Sequence, residues 1–241
     1  MAEVGSGPLW YQIYNWDEET TEHLAKRAEV AGYSALCLTV DVPVVPPVGW
    51  EPRTRPPGRG AVPWASLKDR PELIQRRDDR PSSATGVPQG FTITSSRLEW
   101  LRDLTAMPLV VKGIMTVEDA LLCVEHDVDG VVVSSHEGRV LGSLKAPIEV
   151  LPDIVEAVAG RLEVYMDSGV RSGSDVVKAL ALGARAVLIG RPVFWGLAVG
   201  GEAGVGRVLD ILKAELDYVL AYCGLTDVAE IHEGLVSLPG R

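Results

Sequence analysis

Six short apolar runs, each ending in a polar or turn-forming residue, constrain the fold of this chain more than any other feature. They are LWYQIYN (9–15), ALCLTVD (35–41), PLVVKG (108–113), GVVVSS (130–135), EVYMD (163–167) and AVLIG (186–190). Their lack of alternation predicts strands buried on both faces, as in parallel sheets. Helical stretches lie between them. Asp17 is placed as an N-cap before Glu18 and Glu19, and that helix closes at Gly32. Thr116 caps a second helix, with Asp119 three residues on. Residues 94–104 and 172–184 read as further helices, and 202–224 as one long amphipathic helix. Strand and helix in turn imply βαβ units with right-handed crossovers.

Composition narrows the partners. Of 241 residues 46% are apolar, enough for one large α/β domain or two small ones. The balance of 23 basic against 33 acidic residues leaves a net charge of −10, which argues against nucleic acid, whose phosphates need a basic face. Cys37, Cys123 and Cys223 are far apart and odd in number, forming neither a disulfide framework nor a metal pair, so no metal and a reducing cytoplasm are expected. The amino terminus lacks a signal-peptide build, and no apolar run is long enough to span a bilayer. Residues 42–90 break the rhythm with 10 of the 16 prolines and seven arginines. They read as a long surface loop or lid, or else as an insertion without a role.

Polar groups collect at the strand ends. Gln12 and Tyr14 lie near the end of the first run, Asp41 ends the second and Lys112 the third. Ser134, Ser135 and His136 end the fourth, Asp167 the fifth, and Gly190 with Arg191 the sixth. In parallel α/β folds such ends share one face, which in (β/α)8 barrels carries the active site. Singly, each has an ordinary alternative: His136 a hydrogen-bonded terminator, Asp41 a turn cap, Tyr14 a core aromatic. Together, on one face, they point to chemistry. DSGVRSG and IGRP add Gly169, Arg171, Gly190 and Arg191 after the last two strands, where glycine lets backbone N–H groups approach an anion and the helix opening near Ser172 lends its positive end. Loops so placed form the usual phosphate site of barrels. Neither a GxGxxG nor a GxxxxGK[ST] motif occurs.

These motifs have a resemblance. WYQIY, LTVDVP, LVVKGIMTVEDA, GVVVSSHEGR, VYMDSGVRSGSDVVKALALGA and VLIGRPVFWGLAVGGEAGV, in this order, resemble the FMN-dependent α-hydroxy acid oxidases and dehydrogenases, a family that includes glycolate oxidase, lactate oxidase and mandelate dehydrogenase. The likeness runs from about residue 8 to 232. It implies a TIM (β/α)8-type barrel and oxidation of a small 2-hydroxy acid to the 2-oxo acid. His136 would be the base, Asp41 the carboxylate holding its imidazole, and FMN the hydride acceptor. It further implies that Gln12, Thr39 and Ser134 contact the flavin and Lys112 stands beside its N1–C2=O edge. Asp167 would meet the ribityl chain, and Gly169, Arg171, Gly190 and Arg191 would cradle the phosphate. Arg139 would clamp the substrate carboxylate, with the Tyr14 hydroxyl aimed at the substrate. A homo-oligomer, usually a tetramer, is the family's state.

The chain departs from that pattern at several points. The family's usual SNHG is SSHE here, with Ser135 for asparagine and Glu137 for glycine, and its DGG is Asp167-Ser168-Gly169. A carboxylate beside His136 is expected either to raise the imidazole pKa or to repel an acidic substrate. Arg53 and Arg55 are the two stand-ins for the family's second substrate arginine. The match begins at the family's third strand, so residues 1–241 read as one domain, incomplete at its amino end. Two alternatives stay open: a truncated or degenerate, non-catalytic barrel that binds a phosphate ligand or a partner, and an FMN enzyme acting on a peptide-derived substrate.

Overall fold

The computed structural model describes residues 7–14, 17–42, 67–73, 93–138 and 141–237. The chain divides into two compact units, Met1–Leu109 and Val110–Arg241.

In the first unit, strand β1 (Trp10–Tyr14) and strand β2 (Ala35–Thr39) pair in parallel, with Gln12 opposite Cys37 and Tyr14 opposite Thr39. Helix α1 (Glu18–Val30) crosses between them. Asp17 caps it as the sequence predicts, its Oδ1 accepting from the Thr20 N–H at 2.9 Å. Gly32, at φ 78°, turns the chain out in the left-handed region, where glycine carries no Cβ penalty. Helix α2 (Ser95–Leu104) is capped by Thr94. Its Arg97 Nη2 donates to Thr21 Oγ1 of α1 at 3.0 Å, while its guanidinium lies 4.1 Å over the Trp100 ring. Burial pushes the Arg97 pKa down, with Glu18 and Asp17 opposing.

The proline-rich region is not uniformly a surface loop. Leu67 and Leu73 are buried, and between them Asp69 meets Arg27 Nη1 at 2.7 Å while Arg70 Nη2 meets Glu19 at 2.6 Å. Residues 67–73 are therefore fastened to α1, because two leucines placed six apart bracket a turn whose charges match those of the helix. The rest of the predicted loop or lid lies outside the described residues, and so do Arg53 and Arg55.

In the second unit, strands β3 (Leu109–Ile114), β4 (Gly130–Val133), β5 (Glu163–Met166) and β6 (Ala186–Val187) lie side by side in chain order, all parallel. Helices α3 (Val117–Glu125), α4 (Pro147–Val158) and α5 (Gly173–Ala181) alternate with them. Thr116 caps α3 as expected, and Ser172, where a helix was expected to open, caps α5. Helix α4 has no counterpart among the helices read from the sequence. Its two prolines sit at Pro147, the first helical position, where the missing N–H costs nothing, and at Pro152 in the second turn.

Burial on both faces holds for β2 and β4, every residue of which is buried, but not for β1, where only Ile13 is. β6 is two residues long and has no buried residue. These two strands end their rows of neighbours, so one side of each lacks a covering partner among the described residues. The long helix also differs from expectation. Helix α6 (Arg191–Tyr222) starts 11 residues before the predicted segment and breaks at Gly200 (φ −146°, ψ 19°) and Gly201 (φ 58°, ψ −139°). Residues 191–199 form a helix of their own, folded back so that a Cβ on Gly204 would lie 2.0 Å from the Gly196 carbonyl oxygen.

Candidate active site

Local backbone geometry sets the site. β3 carries a bulge: Lys112 pairs with Val132 but Ile114 with Val133, and Gly113 between them takes φ 111°. The extra residue re-aims the strand end, a habit of bulges beside active sites. It leaves Lys112 9% exposed, and a buried ammonium needs partners. Among the described residues it has two: Lys112 Nζ donates to Ser134 Oγ at 2.8 Å and lies 2.9 Å from Asp167 Oδ2. Ser134, fully buried, accepts a second bond from the His136 N–H at 3.2 Å. The ends of β3, β4 and β5 thus converge on one cation, and the loop that carries the imidazole hangs from the same hydroxyl.

A second network runs on from Asp167. Ser168 Oγ donates to Asp167 Oδ1 at 2.7 Å and accepts from the Glu137 N–H at 2.9 Å. The Glu137 carboxylate is held by Arg191, Oε2 to Nε 2.7 Å, and its Oε1 accepts from the Arg191 N–H at 3.5 Å. Three non-glycine residues here take left-handed backbone angles: His136 at φ 48°, Glu137 at 59° and Ser168 at 66°. Such angles cost of order 1 kcal/mol each and persist only where the surroundings fix them. The hydrogen bonds just named supply that constraint.

The sequence reading placed the phosphate cradle at Gly169, Arg171, Gly190 and Arg191. Gly169 takes φ 105°, and a Cβ on Gly190 would lie 2.8 Å from Glu137 Oε1. Arg171 stacks its guanidinium 5.7 Å from the Trp195 ring. The positive end of α5, however, is already answered. Asp175 Oδ2 accepts from the N–H groups of Arg171 and Ser172, both at 3.0 Å, and the Gly173 N–H donates to Glu215 Oε2 at 3.0 Å. A pocket of about 240 Å³ adjoins the cradle, lined by Glu137, Ser168, Gly169, Arg191 and Lys145 among others. Arginine, glycine N–H groups and a lysine are the donor set that a phosphate monoester requires, so the residues fit such a group.

The remaining sequence-predicted residues divide by unit. In the first unit the Gln12 Nε2 amide donates to Thr39 Oγ1 at 2.6 Å, joining the two polar groups nearest the ends of β1 and β2. Tyr14 ends β1, and Asp41 stands two residues beyond β2. In the second unit Lys112, Ser134, His136 and Asp167 form the linked cluster, with Gly169, Arg171, Gly190 and Arg191 beyond it. Arg139 lies outside the described residues. The Glu137 carboxylate, next to His136 in sequence, is bonded to Arg191. What the sequence reading missed is the link itself. Glu137 and Ser168 were each noted as replacing a glycine, and the signal lay in their occurring together on consecutive strand ends.

Among the described residues no helix is long and apolar enough to cross a membrane. A parallel α/β chain with cations, carboxylates and an imidazole-bearing loop at the carboxyl ends of its strands defines a class: the catalytic and ligand-binding proteins of the (β/α)8 type. Comparison with known proteins narrows it. Residues 1–238 match the FMN-dependent dehydrogenase family model. The chain is 42% identical over 246 residues to 2-hydroxyacid oxidase 2 of Mus musculus, covering 98% of this chain and 66% of that one. It is 41% identical over 249 residues to L-lactate oxidase of Nostoc sp., covering 99% and 67%. Against the crystal structure of mandelate oxidase with (S)-2-phenylpropionate the TM-score is 0.74 at 37% identity, covering 96% of this chain and 63% of that one. The chain belongs to the FMN-dependent dehydrogenase family, shares its TIM-barrel fold class, and spans about two thirds of the length of these relatives.

Proposed function

We propose that this chain binds FMN and oxidises a small 2-hydroxy acid to the 2-oxo acid. The observation that carries the reading is the buried Lys112 ammonium, 2.8 Å from Ser134 and 2.9 Å from Asp167, with the His136 loop tied to the same serine. FMN, when bound, supplies the two-electron acceptor. The protein's own part is to position charge and take a proton. His136 accepts the proton of the substrate hydroxyl, a task suited to imidazole near neutral pH. Asp41 orients that imidazole and stabilises its cation, as in other carboxylate–histidine pairs. Arg139 takes the substrate carboxylate in a bidentate contact worth about 1.5–3 kcal/mol, and the Tyr14 hydroxyl faces the substrate. Lys112 contributes positive charge where the acceptor gains electrons. Gln12, Thr39 and Ser134 are assigned to the flavin ring, Asp167 to the ribityl chain, and Gly169, Arg171, Gly190 and Arg191 to the phosphate.

We further propose a homo-oligomer, supported by the apolar side chains that α6 leaves exposed, Phe194 at 68% and Val199 at 91% among them. Light scattering on the purified chain should give a multiple of its 25.9 kDa mass. A reducing, cytoplasmic location fits three free thiols; one relative's name, from Arabidopsis thaliana, is a peroxisomal (S)-2-hydroxyacid oxidase, so imaging of a tagged chain decides the matter.

The activity is tested by reconstitution. Protein loaded with FMN should be yellow, and glycolate, lactate or mandelate added without oxygen should bleach it. His136→Ala should keep the colour and lose the bleaching. A chain that stays colourless in excess FMN overturns the reading in favour of a non-catalytic phosphate binder, and a yellow chain bleached by none of these acids points to a different substrate class.

A further inference from the structure

The donors of the phosphate cradle are occupied by the chain's own carboxylates. Asp175 takes the N–H groups of Arg171 and Ser172 as part of an ordinary capping box. Glu137 is different, because nothing in helix capping requires it. It arrives from the loop after β4, 54 residues before Arg191 in sequence, and sets Oε2 2.7 Å from the guanidinium and Oε1 3.5 Å from the backbone N–H of the same residue. A side-chain carboxylate bonded at once to an arginine and to a helix-opening N–H makes the two contacts that a phosphate oxygen would make there. Gly190 adds that the space above its Cα, where a glycine admits a ligand, holds Glu137 Oε1 at 2.8 Å from an ideal Cβ. The carboxylate is also kept in place at backbone expense: Glu137 takes φ 59°, with its N–H on Ser168 Oγ.

We propose that the Glu137 carboxylate is an internal anion seated at the phosphate position, and that a phosphate monoester enters the cradle by displacing it from Arg191. This goes beyond the proposed function but rests on its assignment of the phosphate end of FMN to Gly190 and Arg191. Two anions cannot share one guanidinium edge and one N–H without repulsion, so binding energy for the phosphate is reduced by what Glu137 gives up. Ser168 is the positioning residue of the device, since it holds the Glu137 backbone. The consequence is specific: the handicap falls on ligands that carry a phosphate and not on the flavin ring.

The test uses the full chain freed of flavin, as the wild type, Glu137→Gln and Glu137→Gly, with circular dichroism to confirm folding. The glycine variant also relieves the left-handed angle and keeps the test alive should glutamine misfold. FMN, riboflavin and inorganic phosphate are titrated separately by fluorescence or calorimetry. Both variants should bind FMN about tenfold more tightly, one charge-assisted contact no longer being contested, and inorganic phosphate more tightly as well, with riboflavin unchanged. Unchanged or weakened FMN affinity in both variants overturns the proposal and leaves the FMN reading standing, since it would mean that Glu137 orients Arg191 for the phosphate rather than competing with it. Tightening that extends equally to riboflavin overturns it too. If no form binds FMN the proposed function falls, and the inference then stands or falls with whether inorganic phosphate binds the variants more tightly than the wild type.

Discussion

At the scale of single residues, the chain concentrates its costs around one ammonium. Lys112 and Asp167 have side chains 11% and 14% exposed, and each satisfies the other. Removing one partner leaves a buried charge uncompensated, which costs about 3–5 kcal/mol. Lys112→Met and Asp167→Asn should therefore each lower unfolding free energy by that order in urea titrations, while the double variant loses much less than their sum. Additive losses would show that the pair is not coupled. A second prediction concerns Cys123, whose thiol burial pushes up to about 12 from 9.0, with Asp119 adding to the effect. Between those values the unfolded chain releases a proton that the folded chain keeps, so stability falls as pH rises. The loss is about 1.4 kcal/mol between pH 8 and pH 10, and Cys123→Val should lack it when unfolding is compared at the two pH values. Of this chemistry the sequence disclosed the residue types at the strand ends, because lysine and histidine are unusual terminators of apolar runs. It did not disclose that Ser134 serves Lys112 and the His136 loop together, since that depends on a bulge at Gly113 that no periodicity reports.

At the scale of elements, caps were legible and folds within helices were not. Asp17 and Thr116 cap the helices they precede as read, and Ser172, read only as the neighbourhood of a helix start, does the same, because a short side-chain oxygen answers an N–H that the helix leaves open. Ser172→Ala should accordingly cost about 1 kcal/mol, with the loss appearing in chemical denaturation and no change in helix number by circular dichroism. The start of α6 was hidden because residues 191–201 hold three glycines among apolar residues, a composition that argues against helix locally. Tertiary contact reverses that preference: Gly196 and Gly204 let two helical segments touch backbone to backbone around the break at Gly200 and Gly201. Gly204→Ala should thus cost about 3 kcal/mol, near the upper end of overpacking, and lower Tm by about 6–12 °C. Gly206→Ala, two residues on and with open space around the new methyl, should instead gain about 0.5–1 kcal/mol from helix propensity. A melt that ranks the two alike would mean that the close approach is absent in solution.

At the scale of the whole molecule, what decides the function is whether the donor clusters act as one cofactor site in a chain that spans about two thirds of its relatives' length. Ligand linkage measures this without any turnover. A ligand that binds only the folded chain stabilises it by RT ln(1 + [L]/Kd), about 2.7 kcal/mol at a hundredfold excess over Kd. For 241 residues each kcal/mol moves Tm by about 2–4 °C, so FMN at that excess should raise Tm by about 5–11 °C. Riboflavin lacks the phosphate and forgoes the charge-assisted contacts assigned to Gly190 and Arg191, so at equal concentration its shift should be smaller. Arg191→Gln should then erase most of the difference between the two ligands while leaving the riboflavin shift in place. The order of the shifts carries the argument. FMN above riboflavin requires a phosphate cradle in the folded chain, and both above the free protein requires a ring site as well. A calorimetric scan in which neither flavin moves Tm would mean that the architecture of the family survives here without its ligand.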